Sequence, residues 1–103
     1  MFQYQLNAEA NKALIAIVGD IDIDGTELME DEILPALMAY DAATIDMSEV
    51  YFVDSSGIGL LIKLVQTLQE SDKIVKIKDV RPEVNEVFEL LHIQDILGEE
   101  VFS

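Results

Sequence analysis

The sequence predicts an α/β (α+β) protein, a small mixed β-sheet with helices packed beside it in the order β-β-α-β-α-β-α. Three observations predict it. Apolar and polar residues alternate over 2-FQYQL-6, the period of a half-buried strand. The apolar runs 13-ALIAIV-18, 43-ATIDM-47 and 74-IVKIK-78 have the length of strands. Between them, apolar residues recur every three or four positions, the period of a helix. Strand–helix–strand passages favour right-handed crossovers between parallel neighbours, whereas the opening pair, separated only by a turn, reads as a hairpin.

Each element follows in order. Residues Phe2, Tyr4 and Leu6 point to one face of the first strand, and NAEANK turns the chain into a buried strand, 13–18, that ends at Gly19. In 26-TELMEDEILPALMAY-40, Leu28, Ile33, Leu37 and Met38 make an apolar stripe among acids, with Thr26 near the start. Pro35 interrupts it. An interior proline costs about 3 kcal/mol unless the helix deforms, so an irregular turn is expected just before it. A connector through Tyr51, Phe52 and Val53 leads to a helix running to about Gln69, and Glu70, Ser71 and Asp72 turn the chain into the last strand. After Arg81-Pro82, residues Val84, Val87, Phe88 and Leu91 mark one face of a final helix.

Length and charge limit the function. At 103 residues the chain is expected to be a single domain, 1–103. Half its residues are apolar and none is cysteine, so neither disulfide nor cofactor is expected, and a cytoplasmic location fits. No run approaches the roughly 20 apolar residues of a membrane helix. The net charge of −15 is uneven: residues 1–54 hold twelve Asp/Glu against one Lys, and residues 55–103 hold nine against five bases. Such acidity argues against nucleic acid and anionic membrane as partners and favours a basic protein surface.

Two motifs of catalysis or metal binding fail on inspection. Asp20, Asp22, Asp24 and Gly25 match the opening of a calcium loop, but position twelve is Asp31 instead of glutamate and the preceding element is a strand. The serine elbow G-x-S-x-G is absent, since Val53 and Asp54 stand where its first glycine belongs. The lone histidine, His92, lies at the end of the last helix. No metal ligand set and no catalytic residue is assigned.

The stretch 53-VDSSGIGLLIKL-64 is the candidate site. Asp54, Ser55 or Ser56 can cap the helix that begins there. A serine at a helix N-terminus is also a good phosphoacceptor, because a dianion of about −1.5 to −2 is favoured beside the unpaired amides. Gly57 and Gly59 each cost the helix about 0.5–1 kcal/mol, and bare backbone there lets another protein approach closely. On the helix wheel, Ile58, Leu61, Ile62 and Val65 face the core. Leu60 and Leu64 lie round from them, either under a neighbouring helix or in an exposed apolar contact patch.

The run 44-TIDMSEVYFVDSSGIGLLIKL-64 resembles the signature of STAS domains, specifically of bacterial anti-sigma-factor antagonists, and 19-GDID-22 and FELLHIQDIL resemble flanking parts of that family. The resemblance implies partner switching. Its phosphoacceptor falls on Ser55, with Ser56 as the fallback, and Asp22 and Asp54 surround the phosphosite. Gly57, Ile58, Gly59, Leu60 and Leu64 are implied as partner contacts. The implied partners are an anti-sigma factor that is also a serine kinase, and a serine phosphatase that acts on the phosphorylated form. STAS domains also serve as regulators of biofilm or stress pathways without a sigma factor, and as structural subunits of lipid-transport complexes.

Overall fold

Strands that are neighbours in sequence are neighbours in the sheet, in the order β1 (Phe2–Glu9), β2 (Lys12–Gly19), β3 (Ala42–Glu49) and β4 (Ile74–Lys78). The structure, a computed structural model, describes residues 2–102. β1 and β2 form an antiparallel hairpin closed by a two-residue turn, and β2–β3 and β3–β4 pair in parallel. The predicted order of strands and helices is therefore observed.

The sequential order has a consequence for the layers. Right-handed crossovers that advance across a sheet in one direction place every connecting helix on the same face. Burial agrees. Ala13, Ile15 and Ile17, Ala43, Ile45 and Met47, and Val75 and Ile77 are buried, while the alternate residues are exposed or half-buried. The segment 13–18 is thus not buried on both faces as its composition suggests: Leu14 and Val18 are 36 % and 37 % exposed. A continuous apolar run conceals which of its residues face water.

Helices fill the covered face. A 3-10 turn, Ile23–Gly25, leads into a π-helical segment, Leu28–Ile33, and then a short α-helix, α1 (Leu34–Leu37). Pro35 lies in the first turn of α1, so the irregularity expected ahead of it is present. The Leu34 N–H reaches back five residues to the Met29 carbonyl. Widening the turn there moves backbone away from the pyrrolidine ring, which would otherwise press on the carbonyl four residues earlier. α2 (Ser55–Glu70) packs beside this segment, followed after β4 by α3 (Pro82–Leu90), α4 (Ile93–Leu97) and a terminal 3-10 turn, Glu99–Phe102. One contiguous apolar core joins them, with Phe88 and Ile33 fully enclosed.

The final helix is shorter than the apolar pattern suggests. It stops at Leu90, and His92 adopts a left-handed conformation, φ 55°, that redirects the chain into α4. Gln69 of α2 donates to the Leu97 carbonyl at 3.2 Å and ties α4 down. At the start of α3, the Arg81 guanidinium lies 4.2 Å from the centroid of the Tyr51 ring and donates to the Ser48 carbonyl and to Glu83. The connector before the candidate site is held by these contacts.

The same cluster sets a pH dependence. The Glu83 carboxyl is held below its ordinary range, first by the hydrogen bond from Arg81. A carboxyl lowered on folding adds stability above its unfolded value, and that stability is lost as pH falls through the folded value. Glu83→Gln is therefore expected to remove part of the loss of stability below about pH 4. Urea midpoints of both proteins across that range check it; superimposable acid limbs would contradict the pairing.

Candidate functional site

The site is built where two strand-end loops are joined. Beyond β2, Ile21 forms an isolated parallel bridge with Val53, which lies beyond β3. The Ile21 N–H donates to the Phe52 carbonyl at 3.0 Å, and the Asp54 N–H donates to the Ile21 carbonyl at 3.3 Å. Ile21 and Val53 are buried, which fixes the residues that follow each of them. Asp22 follows one and Asp54 the other, so the bridge brings the two predicted acids to the same end of the sheet.

Each acid has a local task. Asp54 is the N-cap of α2: its backbone is extended, and its Oδ1 accepts from the Gly57 N–H at 2.7 Å. Asp22 caps the 3-10 turn, with its Oδ1 accepting from the Asp24 N–H at 3.1 Å. The calcium-like motif is thus spread over a bridge residue and a 3-10 turn. Among the described residues, no group of three or more His, Cys, Asp or Glu is arranged to hold a metal ion.

Ser55 is the first residue of α2 and Ser56 the second, and both are exposed. The positive end of the helix dipole falls on them. The Gly57 amide is taken by Asp54, and both hydroxyl-bearing residues lie exposed at this end of the helix. Chemically, this arrangement can present a hydroxyl to another protein's active site and can accommodate the anion that results. Ile23, Tyr51 and Phe52 flank it as exposed apolar side chains, 65 %, 54 % and 54 % accessible. Composition alone did not single these three out, because each sits in a loop with no periodicity to mark its face.

The two glycines separate. A Cβ on Gly57 would lie 1.9 Å from the Ile21 carbonyl oxygen, so only glycine allows the first turn of α2 to sit against the bridge. Gly59 has nothing within 4 Å of an added Cβ, and it is exposed. The fold needs the first glycine and not the second. Gly59→Ala is therefore expected to raise stability by about 0.5–1 kcal/mol, the propensity difference between the two residues. A thermal melt checks this, and a fall in stability would show a crowding that the geometry lacks.

The remaining predicted contacts lie inside. Gly57 and Ile58 are buried, and Leu60 and Leu64 are 9 % and 2 % exposed. Leu60 and Leu64 border the same crevice as Met29 and Leu34, and Lys63 closes it with a 2.9 Å ion pair to Glu30. The exposed apolar patch that the helix wheel allowed is therefore absent. A wheel shows direction from the axis, and the two leucines point at the π-helical segment instead of at solvent.

Comparison with known proteins places this geometry. An anti-sigma-B factor antagonist of Staphylococcus aureus (strain NCTC 8325 / PS 47) is 23 % identical over 86 residues, covering 81 % of this chain and 78 % of that protein. The unphosphorylated form of the anti-sigma factor antagonist SpoIIAA superposes with a TM-score of 0.74 at 23 % identity, over 94 % of this chain and 84 % of its own. The phosphorylated form of the Bacillus cell fate determinant SpoIIAA gives 0.69 at 18 % identity, over 90 % and 86 %. A family model described as "Mlab, STAS domain" matches residues 4–98. With that match spanning nearly the whole chain, and the same sheet and helices in those structures, the chain belongs to the STAS domain family.

Proposed function

We propose that the chain is a non-catalytic partner switch, an anti-sigma-factor antagonist controlled at Ser55. Unmodified, it binds an anti-sigma factor that is also a serine kinase; phosphorylated, it lets go, and a serine phosphatase restores it. The observation that carries this reading is the placement of Ser55, exposed at the first position of α2 directly after its cap. An anion there is favoured by the helix end, so the fold survives the modification while the surface gains about −1.5 to −2 charge. That SpoIIAA is known in phosphorylated and unphosphorylated forms supports the reading.

In this reading Ser56 is the fallback acceptor and Asp22 and Asp54 are the anionic surroundings. Gly59 is the open place for the partner's close approach, and Gly57, Ile58, Leu60 and Leu64 position the helix from behind. The domain spans 1–103 and works in the cytoplasm. Incubation with the cognate serine kinase and ATP, followed by mass spectrometry, should place phosphate on Ser55. Modification confined to residues outside 54–57 would overturn the proposal.

A second reading makes the chain a permanently docked STAS subunit, for instance of a lipid-transport complex. It is favoured by Asp54 and Gly57, whose roles the fold alone explains. It expects co-purification with a partner at fixed stoichiometry, whatever the state of Ser55. A regulator of a non-sigma pathway would share the switch and differ only in its target.

A further inference from the structure

The two edges of the sheet are treated differently. Along β4, the terminal 3-10 turn packs against the strand, Val101 is buried, and the Lys76 ammonium donates to the Glu100 carbonyl at 2.6 Å. Along β1, no strand of the described residues lies beyond it. An uncovered edge presents a row of unpaired N–H and C=O groups, which proteins usually blunt with lysine, proline, a bulge or a covering segment. β1 has no lysine, proline or bulge, and only its first residue, Phe2, is buried, with its ring against Gly25. Its register with β2 is continuous over eight residues, FQYQLNAE, and only Glu9 is charged, in a chain whose net charge is −15.

The pattern of β1 is also self-complementary. The two-residue turn makes Glu9 and Lys12 a hydrogen-bonded pair, so alternation leaves the amides of Phe2, Tyr4, Leu6 and Ala8 pointing outward. Antiparallel pairing about Gln5 sets Tyr4 opposite Leu6 and Phe2 opposite Ala8 of a second copy on the covered face. It sets Gln3 opposite Asn7 and Gln5 opposite its own copy on the open face. Apolar residues meet apolar ones, amides meet amides, and every outward backbone group named above acquires a partner. Tyr4 and Leu6, now only half-buried, lose exposed surface.

We infer that β1 is a self-association edge, through which two copies pair antiparallel about Gln5 into one continuous eight-stranded sheet. The occupant is a second copy because the strand complements itself and is nearly neutral. A basic partner would be drawn to the acidic loops at the end of the sheet instead. The two-fold axis stands perpendicular to the sheet and closes the pairing at two. It brings both helical layers to the same side, and with them Glu32, which accepts from the Tyr4 hydroxyl at 3.2 Å. Association therefore works against like charge and strengthens with salt, the opposite of binding to a basic partner. Nothing in this depends on Ser55.

Sedimentation equilibrium over a concentration series in about 0.5 M salt, where the Debye length is only about 4 Å, tests it. The mass should climb from monomer to dimer and stop there. Compared in about 0.1 M salt with Gln66→Lys, which changes the net charge equally, Gln5→Lys should weaken the dimer by up to about fivefold, since it sets two like charges opposite each other at the dyad, a cost of up to about 1 kcal/mol, at a position exposed in the monomer. Gln66→Lys, an exposed change of equal charge on α2, should still dimerise. Amide exchange at Tyr4 and Leu6 should slow with concentration in the wild type and do so less in Gln5→Lys. A wild type that stays monomeric throughout, a mass that passes beyond the dimer, or a Gln5→Lys protein that dimerises equally would each overturn the inference.

Discussion

Gly57→Ala is expected to lower the free energy of unfolding by about 3 kcal/mol, the upper part of the range for forcing a methyl into packed surroundings. The added Cβ would lie 1.9 Å from the Ile21 carbonyl oxygen and 2.6 Å from its carbon. Both atoms are backbone, so no change of rotamer relieves the contact. Either α2 lifts or the loop after β2 retreats. Each movement strains the two hydrogen bonds by which Ile21 holds Phe52 and Asp54. For a protein whose whole stability is of order 5–15 kcal/mol, that is a large share. Urea melts of the two proteins measure it. A loss below about 0.5 kcal/mol, the scatter of ordinary surface substitutions, would show that the loop yields freely. Partner binding should fall with stability here, whereas in Gly59→Ala the two should move in opposite directions.

The second large effect concerns binding. Ser55→Asp is expected to weaken affinity for the proposed kinase partner by at least about thirtyfold, or about 2 kcal/mol, the lower bound for an unpaired charge trapped in an interface. The fold should change little, because an acid at the first helical position is favoured by about 0.3–1 kcal/mol. Ser55→Ala should bind with or without ATP, since it cannot be modified. Calorimetric titration of the three proteins, with circular dichroism as the fold control, separates the outcomes. If Ser55→Asp binds as tightly as the wild type, release by charge is wrong. If Ser55→Ala is released on adding ATP, the acceptor lies elsewhere, and Ser56→Ala becomes the next variant to titrate.

Periodicity revealed the sheet and its order well. The strand Ile74–Lys78 has the predicted limits, and α2 differs by a residue at its end. Local chemistry also located the proline irregularity, because the clash that causes it lies within one helical turn. Three features were not legible, all for the same reason. The Ile21–Val53 bridge joins residues 32 apart in the chain, and no local pattern encodes it. Gly57 is needed because of that bridge, so its role was hidden too. The burial of Leu60 and Leu64 depends on where the π-helical segment falls, which their own helix does not specify. The break at His92 was missed for a different reason. No glycine or proline marks it, and a histidine takes up the left-handed conformation, φ 55°, that glycine would otherwise supply. The start of α2 was legible to within Asp54, Ser55 or Ser56 because capping is decided within a few residues, and Asp54 is the one that caps.

Because each strand lies against the one synthesised just before it, the sheet can assemble progressively as the polypeptide leaves the ribosome, a two-residue turn closing first and crossovers of 22 and then 24 residues closing after it. The hairpin is local and can form early, whereas the two parallel pairs must wait for their crossovers to close, which is the slower part of such folding. The stage most exposed to misassembly comes late, when β4 has docked and the segment that will shield its outer margin has yet to emerge.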